Sequence, residues 1–154
     1  MKKAIFLIAV LAFLQQACKD DNNSADREAL LTSHCWVMTG ATVDPSVIVN
    51  GAVITDMYAV LPLCDRDNVA CILENGSLYV DEGASKCDDN DPQTNTSGKW
   101  WFNNDETVIL TVLDGSSDTI PTNILALTKD QLQVRHTLEV FGQQRNVTYT
   151  YKPE

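Results

Sequence analysis

Beyond residue 98 the chain is written almost wholly in strand-length segments cut by turn signals, and no other feature narrows its possible folds as much. Residues 99–103, 107–113, 120–127, 132–140 and 146–152 are rich in β-branched, aromatic and aliphatic side chains. Asn103-Asn104-Asp105, Asp114-Gly115-Ser116-Ser117, Lys129-Asp130 and Gly142-Gln143 separate them. Many short strands with frequent turns and almost no helix predict an all-β sandwich or an antiparallel barrel. Alternation orients the last strands. Leu132, Val134, His136 and Leu138 share one face, opposite Gln133, Arg135, Thr137 and Glu139. Arg145, Val147, Tyr149 and Tyr151 likewise share a face, with Arg145 at the rim.

The earlier half reads less regularly. Residues 29–33 suggest a short helical entry, and 36–43 begin β structure with Gly40 as a bulge position. Asp44-Pro45 is a turn signal, followed by a short strand at 47–49 that ends at Asn50-Gly51. Met57, Tyr58 and Leu61 have helical spacing before Pro62. Residues 69–73 and 77–80 form a hairpin around Glu74-Asn75-Gly76. Residues 81–97 are polar and acidic, and a loop of that length needs a staple or a function. Its Asp88, Asp89, Asn90 and Asp91 offer oxygen ligands, but glycine and glutamate are missing where an EF-hand requires them. A solvated loop is the expectation, with no metal site.

The N-terminus bears on location. Lys2 and Lys3 precede an apolar run at 4–14, the layout of an export signal and too short to span a bilayer, which needs about 20 residues. Ala17 followed by Cys18 resembles the lipobox of bacterial lipoproteins, although Gln15 and Gln16 depart from a tight version of it. That resemblance implies a signal peptide at 1–17, a lipid on Cys18 and a membrane partner through that anchor. Lys19, Asp20 and Asp21 resemble the short acidic tag that sends Bacteroidota-type lipoproteins to the outer face of the outer membrane. Residues 18–28 are too polar for a core and read as a flexible tether, leaving one domain at 29–154. The formal net charge of −10 argues against nucleic acid as a partner.

Four cysteines remain: Cys35, Cys64, Cys71 and Cys87. An even number in an exported chain favours disulfides, and three pairings are open. Zinc is disfavoured, because there is no Cys-x-x-Cys and His34 and His136 are far apart in sequence.

The order and wording of several segments resemble the lipocalin-like domain of Bacteroidota-type outer-membrane lipoproteins. The residues that carry the likeness are Leu30-Leu31 with Trp36, LPLCDRDN at 61–68, NGSLYVDEGASKCD at 75–88, GKWWFNNDET at 98–107 and NILALTKDQLQV at 123–134. The resemblance implies a small up-and-down antiparallel β-barrel of about eight strands, on a lipid tether. It also implies a Cys64–Cys87 disulfide, which leaves Cys35 and Cys71 for a second. The Gly98-x-Trp100 motif lies mid-chain, whereas ordinary lipocalins carry theirs in the first strand.

Two functions follow as expectations. A hollow barrel would bind a small apolar or amphipathic ligand, with Trp36, Trp100, Phe102 and Val134 as walls and His136, Arg145 and Tyr149 as polar anchors. A filled, monomeric barrel would instead serve as a protein-interaction or accessory module of an envelope complex, with Trp101 as an exposed contact. No catalytic motif, phosphate loop or cofactor signature is present. The pair Asp65 and Asp67 is expected to hold a loop in place, with no enzymatic role.

Overall fold

The computed structural model describes residues 23–140 and 142–154. The signal peptide, Cys18 and the Lys19-Asp20-Asp21 tag lie outside them. The chain runs α1 (Asn23–Thr32), β1 (Cys35–Val49), β2 (Ala52–Asp56), a 3-10 turn (Tyr58–Val60), α2 (Leu63–Arg66), β3 (Val69–Ile72), β4 (Ser77–Asp81), β5 (Thr94–Phe102), β6 (Val108–Leu113), β7 (Ile120–Leu127), β8 (Leu132–Val140) and β9 (Gln143–Pro153). All ladders are antiparallel. They follow the order β2-β1-β3-β4-β5-β6-β7-β8-β9, and a β1–β9 pairing closes eight strands into a barrel with β2 outside.

β1 is the seam. One edge pairs with β9 from Trp36 to Asp44, while the other pairs first with β3 at Cys35–Val37 and then with β2 at Thr42–Val49. The turn expected at Asp44-Pro45 is therefore corrected. The strand runs straight through a cis peptide there, and the register shifts between Thr42 and Val47 absorb it. Proline cannot donate to a ladder, and a bulged stretch is where a strand tolerates it. The bulge expected at Gly40 is present as a register shift against β9. Asn50-Gly51 makes the expected turn, both residues having positive φ (51° and 81°).

Two boundaries move. α1 begins at Asn23, so the stretch expected as tether is helical from that residue on. Ala, Arg, Glu and Leu favour helix locally, and the helix needs only Leu31, which is fully buried, as its apolar anchor. β5 begins at Thr94, inside the stretch expected as loop. A ladder is made by backbone groups, so Ser97↔Tyr79 and Thr94↔Asp81 pair despite their polar side chains. Gly98 is required within that strand, because a Cβ would sit 2.4 Å from the Val112 carbonyl oxygen of β6.

The core has two parts that meet at Tyr149. Leu31, Trp36, Trp100, Ile109, Leu132 and Val134 form one, and Val43, Val47 and Val147 the other.

Candidate functional site

Following the ladders around the barrel shows which side chains face inward. Trp36 pairs with Ala70 and Ala70 with Val80; Trp100 pairs with Thr111 and Thr111 with Ile120. Val134 pairs with Tyr149, which pairs with Ala41, and His136 pairs with Val147, which pairs with Val43. With period-2 alternation, Trp36, Trp100, Phe102, Val134, His136, Arg145 and Tyr149 all belong to this inner set.

They do not share one site. Inside the barrel lies a void of about 170 Å³. Its walls come from Trp36 of β1, Ala70 and Ile72 of β3, Leu78 and Val80 of β4, Ile109 and Thr111 of β6, Thr122 of β7, Leu132 and Val134 of β8, and Tyr151 of β9. Of the expected residues, Trp36 and Val134 line it. Trp100 and Phe102 stack edge to face at 5.3 Å and line a surface groove with Trp101, Glu28, Glu74 and Glu106. Arg145 pairs with Leu138 and lines a separate rim groove with Ser46, Ile48 and Gln143, and its guanidinium donates to the Gln143 side chain. His136 and Tyr149 lie between that groove and the void, on the inner face. Tyr151 was not singled out by sequence reasoning, although its alternation with Tyr149 and Val147 placed it on the inner face.

One end of the barrel is plugged. α1 packs against β3 and β7, and Leu31 and Trp36 are both completely buried. The Trp36 indole N–H donates to the Leu31 carbonyl at 2.9 Å, satisfying a group that the end of the helix leaves unpaired. The Trp100 indole N–H donates to the Leu73 carbonyl at 2.8 Å, tying β5 to the β3–β4 turn at the same end.

At the other end Val43, Val47 and Val147 are buried in the second core cluster, but toward β4, β6 and β7 the inward residues are only half-buried: Val80, Thr111, Leu113, Ile120 and Thr122, with His136 of β8, all keep accessible surface. This end is the mouth. The segment between β2 and β3, the β4–β5 loop and the β6–β7 loop surround it. The Cys64–Cys87 disulfide ties the first two together. Asp67 does the same by hydrogen bonding, accepting from the Ala84 and Ser85 N–H groups (3.1 and 2.9 Å) and from the Ser85 hydroxyl. Gly83 stands against Asp67 so closely that a Cβ would fall 2.2 Å from the Asp67 carbonyl oxygen, and its φ is +70°. Arg66 completes the frame, donating to the Leu61 and Ala59 carbonyls with its guanidinium 5.3 Å from the Tyr58 ring centre.

The acidic loop is held by its own contacts. Asp81 accepts from Gln93 and from the Gly83 N–H, which together hold its carboxyl below the ordinary value. Asn90 does the same for Asp88. Cys64, Asp65 and Cys87 come close together, but both sulfurs are spent on the disulfide and cannot act as thiolate ligands. Cys35 and Cys71, directly opposite across the β1–β3 ladder, form the second disulfide.

The interior disfavours charge of either sign. Desolvation lowers the pKa of His136 and raises those of Tyr149 and Tyr151. The walls are hydrocarbon and hydroxyl, a setting for a neutral guest. No model of a known protein family matches the chain, and no curated protein is similar to it in sequence. No helix among the described residues is long and apolar enough to cross a membrane.

Proposed function

We propose that this protein is an envelope lipoprotein whose barrel carries a small, mostly apolar molecule. The observation that supports the reading is the void itself: about 170 Å³, walled by apolar side chains from six strands, plugged at one end and half-exposed at the other. A filled barrel would have spent that space on side chains. The lipobox-like Ala17-Cys18 and the acidic Lys19-Asp20-Asp21 support anchoring at the outer membrane with display on the cell surface.

Native mass spectrometry of the purified protein tests the carrier function. An added small-molecule mass that disappears on organic extraction is expected, and it should be missing when Ala70→Phe fills the void. A clean apo mass that stays unchanged after incubation with a panel of small apolar compounds would reject the reading for those compounds. Anchoring is tested separately: Cys18→Ser should move the protein from the membrane fraction to the soluble one.

A second reading, an interaction module, rests on β2. It is the sheet's edge strand, it carries no charge before Asp56, and Val53 and its ladder partner Ile48 are 68% and 70% exposed. Such an edge offers unpaired backbone groups to an extended segment of a partner. Thr55→Pro should abolish such pairing and leave ligand mass unchanged.

A further inference from the structure

The void has one feature that a plain hydrocarbon pocket lacks. Tyr151 lines the void as a half-buried side chain, and no described residue hydrogen-bonds its hydroxyl. A tyrosine hydroxyl both donates and accepts, so one that the protein leaves unpaired beside a cavity is open to a partner from whatever occupies it. The other polar walls differ. Thr111 already reaches the Ile120 carbonyl (3.4 Å), while Thr122 stands nearer the mouth, next to the level of Arg135 and His136 on β8.

Size and charge narrow the guest further. A cavity of roughly 150 Å³ accepts a benzene-sized molecule, so about 170 Å³ accommodates one ring with a small substituent and is too small to enclose a long acyl chain. No charged side chain lines the void, and Arg145, the inner-face cation, lies in a separate groove. An ionised guest would lose its hydration with no counter-charge to replace it.

Resting on the carrier reading above, we propose that the guest is an uncharged, single-ring-sized apolar molecule with one hydrogen-bonding oxygen, and that the Tyr151 hydroxyl is the group that selects that oxygen.

The test is calorimetric titration of the purified full-length protein with three probes of similar size: benzyl alcohol, ethylbenzene and benzoate. Wild type should bind the first two and give no signal with benzoate. Tyr151→Phe keeps the ring and removes only the hydroxyl, so it should weaken benzyl alcohol about three- to tenfold, the worth of one neutral hydrogen bond. Ethylbenzene should be unchanged or slightly tighter. Ala70→Phe should abolish binding of both.

If Tyr151→Phe weakens both neutral probes equally or neither, or if benzoate binds as well as benzyl alcohol, the selection by Tyr151 is wrong while the carrier reading survives. If none of the probes binds to wild type, the inference falls. The extracted-mass experiment then decides independently whether the carrier reading falls with it. Circular dichroism of each variant separates lost binding from lost folding.

Discussion

The two ends of this barrel are made from the same alternating strands, yet they are held by different physics. At the helix-plugged end, Leu31 and Trp36 lose all accessible surface, and indole N–H groups tie off backbone carbonyls that packing would otherwise strand. At the mouth a small valine cluster, Val43, Val47 and Val147, is buried on one side, while the inward side chains of β4, β6 and β7 stay half-buried and the loops around them are ordered by covalent and polar ties: Cys64–Cys87, the Asp67 net and the Arg66 clasp. Dense packing stabilises but leaves no room, so a hollow interior needs its rigidity from the rim. The contrast explains how one small chain combines a core with a void.

The largest test of that contrast is at the plug. Trp36→Ala should cost about 3–5 kcal/mol, the usual range for deleting a buried aromatic side chain, measured by urea unfolding. A cost below about 1 kcal/mol would show that the plug is not the stability centre. At the mouth, replacing Cys64 and Cys87 by serine opens a loop closed over a separation of 23 residues. About 3 kcal/mol is expected on the chain-entropy account. Hydrogen exchange should accelerate at 57–68 and 82–93 and stay slow in α1; uniform acceleration would mean that the two ends are one cooperative unit.

Smaller changes sharpen the picture. Gly83→Ala should destabilise by more than about 1 kcal/mol, since it meets both a positive φ and the Asp67 backbone. Asp67→Asn should cost about 1 kcal/mol, because the amide accepts more weakly from Ala84 and Ser85 and this site is solvated.

The gentlest probe is pH, acting on the interior between the ends. His136 has a folded pKa below its ordinary 6.5, so its neutral form is favoured in the fold. Its contribution is fully present above that value and declines as pH falls through it. Tyr149 and Tyr151 have folded pKa values above the ordinary 10.0, so stability should also fall as pH rises past 10. The urea midpoint of His136→Gln should vary less than that of wild type between pH 7.5 and 5.5. An unchanged slope would remove His136 from the hydrophobic interior.

The segments at 120–127 and 132–140 were legible as strands to the residue, because short alternating runs bounded by turn residues leave the backbone few alternatives. Asn50-Gly51 was legible for a local reason too, since its positive-φ geometry suits those two residues. The continuous β1, the outer strand β2 and the first half of β5 were not legible. Their pairing is decided by a neighbouring strand's backbone, and side-chain pattern reports that only weakly.

The candidate site divides the same way. Alternation grouped Val134 with His136, and Tyr149 with Tyr151, on one face of their strands, a property each strand carries alone. Which of them border empty space depends on how far along the barrel axis each strand sits and on what α1 fills. That put Tyr151 beside the void and Arg145 in a different groove. The sequence by itself determined the β class, the turns and the two faces of the later strands, because those follow from local sterics and period. Closure through β1 and β9, the plugged end, the mouth and the void belong to the tertiary structure alone, because each is set by contacts between residues far apart in the chain.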